Sequence, residues 1–163
     1  RLFQVNAQGQ PSTYHAHRIS GGMLVEAVDT GIHVPKEWKC VTEKQPEEGW
    51  LEELAFAMQA VASLKSNAIT VTCSRSLLGA GAGQMSRLDA CEQALKKAGD
   101  QTTGGFLGSD AFFPFDDCVR LAHKAGIVAV VQPGGSKRDQ EVIDACNELG
   151  MVMLFTGRRH FKH

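Results

Sequence analysis

Between Asp116 and Phe155 the sequence changes period three times, and this alternation most narrows what the chain can become. In DDCVRLAHKA and DQEVIDACNEL the apolar residues recur at spacings of three and four, which predicts helices over 116–125 and 139–149. In IVAVV and MVMLF they run unbroken over lengths typical of strands, which predicts strands over 127–131 and 151–155. A strand apolar on both faces is buried on both faces, and strands joined through a helix run parallel. The last third therefore specifies a sheet with helices packed on its faces, its late strands parallel.

Upstream, RISGGMLVEAVD carries a short strand at Met23–Val25, and the Gly pair beside it signals a bulge or a close backbone approach. WKCVTE reads as another short strand. Pro46 then opens a helix through EEGWLEELAFAMQAVASLK, where Trp50, Leu51, Leu54, Phe56, Met58, Val61 and Leu64 form the apolar side and acids occupy the first turn. NAITVTC and LLGA, separated by the polar Ser74–Ser76 stretch, read as a hairpin. Gly-rich GAGAGQMSR leads into a helix over RLDACEQALKKA that Gly99 ends, and GGFLGSDAFFPF reads as a buried strand running into an aromatic loop.

A chain of 163 residues that is 43% hydrophobic and 21% charged has the length and composition of one globular domain with a genuine core. Its formal charge of −1 gives no field that would draw it to nucleic acid or an anionic membrane, and no apolar run reaches a membrane span. The five cysteines are scattered and never form C-x-x-C, so neither a disulfide scaffold nor a zinc ribbon is expected, and a cytoplasmic location is. Arg1 is not an initiator Met, which makes this start a processed end, a cloning boundary or a truncation.

Several features carry potential chemistry. Gly79, Gly81 and Gly83 either offer N–H groups to an anion at the start of the following helix or allow close packing; the spacing matches no dinucleotide fingerprint and no Walker lysine follows. His15 and His17 share one face of an extended segment, but no partner stands at a metal-ligand spacing, so a solvated strand end is expected. The zinc deaminase pattern H-x-E with P-C-x-x-C is absent. Cys118 is expected to be a structural thiol.

SDAFFPFDDC is the most informative stretch. A hydrophobic plug and a helix cap account for one Asp and two Phe, and leave a surplus. Aromatic walls beside a carboxylate suit a flat heterocycle whose N–H groups need an acceptor, such as a pterin. QPGGS, after the next strand, fits either a site or a turn on the carboxyl edge of the sheet, and the tail GRRHFKH brings cationic groups to that edge, where open α/β sheets bind ligands.

KSNAI, GAGQMSR, SDAFFPF, QPGGS, RDQEVIDAC and RHFKH stand here in the order and approximate spacing of the transformylase half of the bifunctional AICAR transformylase/IMP cyclohydrolase family, which the chain resembles from SGGMLVE to its last residue. The resemblance implies a three-layer α-β-α, cytidine-deaminase-like fold with a mixed sheet and no catalytic zinc, residues 18–163 forming a carboxy-terminal transformylase subdomain and 1–17 an extension or remnant. It implies formyl transfer from 10-formyltetrahydrofolate to the amine of AICAR in purine (IMP) synthesis. Carried over by position, Asn67 resembles the amide that orients the reacting groups. Arg87, Phe112, Arg159 and Phe161 resemble nucleotide contacts, and Leu88, Pro114, Phe115 and Asp117 resemble the folate wall and its carboxylate. Arg87 and Leu88 are further implied to act across a homodimer interface. A structural potassium is implied near Val61, Leu64, Ser66 and Asp110.

The family's catalytic Lys-His pair lies in a KHANPCG-like segment, and nothing between Arg1 and Gly21 matches it; the cyclohydrolase domain has no counterpart either. The expectation is part of a formyltransferase, a fragment or one piece of a split enzyme, that is silent without the missing amino-terminal half. The alternative is a non-catalytic nucleotide- or folate-binding or dimerisation module.

Overall fold

The computed structural model describes residues 13–29 and 35–163, which fall into two compact units. Residues 1–12 of the expected extension over 1–17 lie outside the described residues. The first unit is an antiparallel hairpin of β1 (Tyr14–Ile19) and β2 (Gly22–Ala27), with Ser20 and Gly21 as its turn. The Gly pair thus marks a hairpin turn where a bulge was one expectation. Its strands are exposed throughout except the half-buried Glu26, and His17 stands 3.8 Å from that carboxylate.

The second unit is a six-stranded mixed sheet between two helical layers. Its strands are β3 (Lys39–Cys40), β4 (Ile69–Cys73), β5 (Ser76–Gly81), β6 (Phe106–Ser109), β7 (Ala129–Gln132) and β8 (Val152–Phe155), in the order β3-β8-β7-β6-β4-β5. The trio β6, β7 and β8 is parallel, and the pairs β3/β8, β4/β6 and β4/β5 are antiparallel. The expected parallel late strands and the hairpin of NAITVTC with LLGA are therefore both present.

The central strands alternate between two cores. Phe106, Ala129, Val131, Val152 and Leu154 meet α1 (Trp50–Ala62) through Leu54, Ala57, Met58 and Val61. Leu107, Val130 and Met153 point the other way, to α2 (Arg87–Ala98), α3 (Asp117–Lys124) and α4 (Asp139–Glu148). Burial on both faces is why these strands read as unbroken apolar runs.

One helix starts later than its sequence predicts. Pro46 does not open α1; Gly49 sits in left-handed backbone at φ 83, and regular helix begins only at Trp50. Phe56 falls beside the buried stripe, since Leu54, Ala57, Met58 and Val61 already hold the positions three and four apart.

Gly79 and Gly81 are not a loop. Both lie in β5, where a Cβ would stand 2.0 Å from Ala94 O and 2.0 Å from Ala90 O of α2. Their missing side chains let the helix backbone rest on the strand, so of the two expectations close packing is the one the structure meets. Only Gly83, at φ 66, belongs to the connection into α2.

Candidate functional site

The topology brings the motifs to one edge. Because β6, β7 and β8 are parallel, the aromatic loop, the QPGGS loop and the tail all leave from the same edge of the sheet. Because β4 runs antiparallel to β6, Asn67 enters β4 from that edge too, and β5, antiparallel to β4, delivers the chain there into α2. A depression of about 300 Å³ results, lined by Asn67, Met85, Ser86, Arg87, Ala111, Phe112, Pro114 and Phe161.

Its polar floor is a bonded chain of side chains. Asn67 Oδ1 accepts from Arg87 Nη2 at 3.0 Å, and Asn67 Nδ2 donates to Gln84 O at 3.1 Å and Met85 O at 3.3 Å. Arg87 Nη1 donates to Ala68 O at 3.3 Å and forms a buried ion pair with Asp110 Oδ1. Asp110 Oδ2 accepts from Ser66 Oγ at 2.6 Å, and Ser66 Oγ in turn accepts from Lys162 N of the tail at 3.2 Å. The amide of Asn67 is thereby fixed in direction before any ligand arrives, the condition for an orienting dipole.

The walls are apolar and open. Phe112 and Phe161 are 38% and 41% exposed, and Met85, on the rim, is 96% exposed. Arg159 places its guanidinium carbon 4.7 Å from the Phe161 ring centre, a cation–π contact that puts positive charge beside the depression.

Asn67, Arg87, Phe112, Pro114 and Phe161 are brought together, and Arg159 joins them through Phe161. The other three stand apart from the lining. Asp117 begins α3, where its Oδ1 accepts from Cys118 N at 2.7 Å; Phe115 lies under Arg138 at 4.8 Å; Leu88 packs on the core below α2. Arg87, implied to act across an interface, directs its guanidinium into its own chain.

Cys118 is buried, and its thiol is held far above the ordinary cysteine range by a hydrogen bond with Cys91 and by burial. It stays protonated and is no nucleophile. Among the described residues no three His, Cys, Asp or Glu side chains gather as a metal site, and no helix is long and apolar enough to cross a membrane. Where a potassium is implied, the Asp110 carboxylate pairs with Arg87 and accepts from Ser66 Oγ, and the Val61 carbonyl accepts from Leu64 N at 3.0 Å.

Two contributors stood inside quoted motifs without a role of their own, Met85 in GAGQMSR and Gln132 in QPGGS. Met85 has no periodicity to betray it, lying in a connection. Gln132 left a signal, one polar residue ending an otherwise apolar strand, and it proves fully buried.

Fold and depression together define an α/β domain with a preset amide and aromatic walls at one edge of its sheet. The family model described as AICARFT/IMPCHase bienzyme matches residues 1–97, and the chain belongs to that family. It is 54% identical over 157 residues to the bifunctional purine biosynthesis protein PurH of Synechocystis, covering 96% of this chain and 30% of that protein. The proteins of the same name from Rhodopirellula baltica and Acetivibrio thermocellus are 48% and 47% identical, each across 100% of this chain and 31% and 32% of their own lengths. The chain thus spans about a third of the relatives it matches. Among solved structures, Acinetobacter baumannii RibD, form 1, overlaps 61% of this chain and 32% of its own at 21% identity and a TM-score of 0.43. A diaminohydroxyphosphoribosylaminopyrimidine deaminase/5-amino-6-(5-phosphoribosylamino)uracil reductase from Thermotoga maritima overlaps 63% and 33% at 19% identity and a TM-score of 0.40.

Proposed function

We propose that this chain is the carboxy-terminal part of the transformylase half of such a bienzyme, serving formyl transfer from 10-formyltetrahydrofolate to the amine of AICAR. The observation that carries the reading is the Asn67 amide, held by three hydrogen bonds at the floor of an aromatic-walled depression. In this reading Phe112 and Phe161 stack on the imidazole, Arg159 faces the phosphate, and Asn67 aligns the amine with the formyl carbon. The amine must lose a proton as its bond to the formyl carbon forms, while the bond from that carbon to N10 of the folate breaks and the departing N10 takes up a proton. No Lys-His pair of the kind the family uses stands in this sequence, so the general base is read as coming from chain outside these 163 residues.

At about 300 Å³ the depression is at the small end of ligand sites, enough for one heterocycle and not for nucleotide and folate together. The exposed rim of Met85, Phe112 and Phe161 is read as the surface that a second copy of the chain covers, completing the folate side. Calorimetric titration of the chain with AICAR and with a non-reactive folate tests the reading. Saturable binding of AICAR that is lost in Asn67→Ala supports it, and absence of binding at millimolar ligand refutes it. A formyl-transfer assay with and without the amino-terminal part of a relative supplies the chemistry: turnover is expected only with that part present.

A further inference from the structure

The last residue of β7 ties together three connections that the site draws on. Gln132 has 0% of its surface exposed. Its Oε1 accepts from Gly134 N at 3.1 Å and from Phe113 N at 3.4 Å, its Nε2 donates to Met153 Sδ at 3.5 Å, and its main-chain oxygen accepts from Thr156 N at 2.9 Å. Phe113 belongs to the loop after β6, Gly134 to the loop after β7 and Thr156 to the tail after β8. One residue therefore bonds every connection that leaves the carboxyl edge of the three parallel strands.

The residue type needs an explanation. Burying an amide beside Met153 and Phe113 is unfavourable unless its polar atoms are satisfied, and a Met would fill the same space without that cost. What an amide adds is an acceptor that two N–H groups from different loops can share. The neighbours of Phe113 are Phe112 and Pro114, both in the wall of the depression, so fixing Phe113 N fixes that wall relative to the loop at Gly134.

We propose that Gln132 is a positioning residue: without touching ligand, its side chain sets the aromatic loop against the loop at Gly134 and against Met153 of β8, and so presets the wall for a planar ligand. The inference rests on reading the depression as the AICAR site.

Two substitutions separate positioning from mere packing. Gln132→Met keeps length and apolar fit and removes the acceptor; Gln132→Glu keeps an acceptor oxygen. Amide hydrogen exchange at Phe113 and Gly134 and calorimetric affinity for AICAR are read on the full chain at pH 6. In Gln132→Met both amides are expected to exchange about tenfold faster or more, and AICAR affinity to fall roughly tenfold, the factor one lost hydrogen bond carries. Gln132→Glu is expected to restore both. Unchanged exchange in the Met variant overturns the proposal, as does affinity within about twofold of the parent despite faster exchange, because Gln132 is then only a strut. If Gln132→Met does not fold, loss of protection at Phe113 in a folded Gln132→Glu overturns it equally. Should the parent chain bind no AICAR, the site reading fails on its own, while exchange at the two amides still decides whether Gln132 holds the loops.

Discussion

Arg87 joins Asn67 to Asp110: one guanidinium nitrogen donates to the Asn67 amide oxygen at 3.0 Å, and the other pairs with a carboxylate that has no exposed surface. The direction of the amide at the floor of the depression therefore depends on a buried ion pair, and Ser66 and the tail at Lys162 depend on the same carboxylate. Helix α2, strand β4, the end of β6 and the tail meet at this one pair.

Removing one partner leaves a charge buried without compensation. Arg87→Met is expected to lower unfolding stability by about 3–5 kcal/mol, whereas Arg87→Met combined with Asp110→Leu recovers much of that loss. Urea denaturation of the three proteins measures it. A single substitution as stable as the parent would show that the pair does not organise the fold.

The contact of β5 with α2 predicts a contrast among three glycines. Gly79→Ala and Gly81→Ala drive a methyl into backbone oxygens 2.0 Å away, and each should cost at least the ~1–3 kcal/mol typical of overpacking. Gly83→Ala meets no atom within 4 Å and should lose only the ~1–2 kcal/mol of left-handed backbone. Thermal unfolding of the three variants gives the order, and equal losses would contradict a packing role.

The cysteines supply a pH dependence. Burial pushes Cys146 from its ordinary 9.0 up to about 12, and Cys118 is raised further. Between those values the unfolded chain releases protons that the folded chain keeps, so the stability they contribute is present below pH 9 and is lost as pH rises toward 12. The melting midpoint should fall over that window, and less in Cys146→Ala. Native thiol titration near pH 8 should find Cys40 and Cys73, which are partly exposed, ahead of the buried Cys91, Cys118 and Cys146.

Met85 gives the sharpest test of assembly. At 96% exposure, Met85→Glu changes nothing inside the monomer, so its thermal midpoint as a monomer should stay with the parent. If a second copy covers the rim, the same substitution buries a charge and should weaken the dimer about tenfold or more. Light scattering across micromolar concentrations reads both: a monomeric parent, or a dimer unaffected by Met85→Glu, places any interface elsewhere.

What could be read from sequence followed how locally each feature is encoded. Val130, Met153 and Leu107 announced a doubly covered sheet because burial on both faces is written in the strand itself, and the residues ending β6 and entering β4 fell at one edge because strand direction fixes where connections emerge. Gly79 and Gly81 could not be resolved, since an anion cradle and a helix resting on a strand both require a missing Cβ. Pro46 misplaced the start of α1 because the left-handed turn at Gly49 depends on backbone further on. The Asn67–Arg87–Asp110 chain was invisible as a unit: its members are 20 and 23 residues apart, and nothing in the spacing shows that they bond. Gln132 was legible only as the head of QPGGS, a loop after the strand; the structure makes it the buried end of β7, with side-chain partners at Phe113, Gly134 and Met153.

On the proposed reading, AICAR and folate should answer to different residues. Arg159 lies against Phe161 in the wall of the depression, while Asp117 stands at the start of α3, outside that lining. A carboxylate accepting from a pterin is a charge-assisted bond of about 1.5–3 kcal/mol, so Asp117→Ala is expected to weaken folate roughly ten- to a hundredfold and leave AICAR alone. Because Asp117 Oδ1 also accepts from Cys118 N at 2.7 Å in the first turn of α3, the same substitution should cost about 1 kcal/mol of stability through the lost hydrogen bond, and binding must be compared where both proteins are fully folded. Arg159→Ala removes charge from an exposed position and should weaken AICAR while sparing folate. Calorimetric titration of each variant with each ligand decides the matter. Equal weakening of both ligands by either substitution would mean that the two residues serve one subsite, and the division between a nucleotide side and a folate side would have to be abandoned.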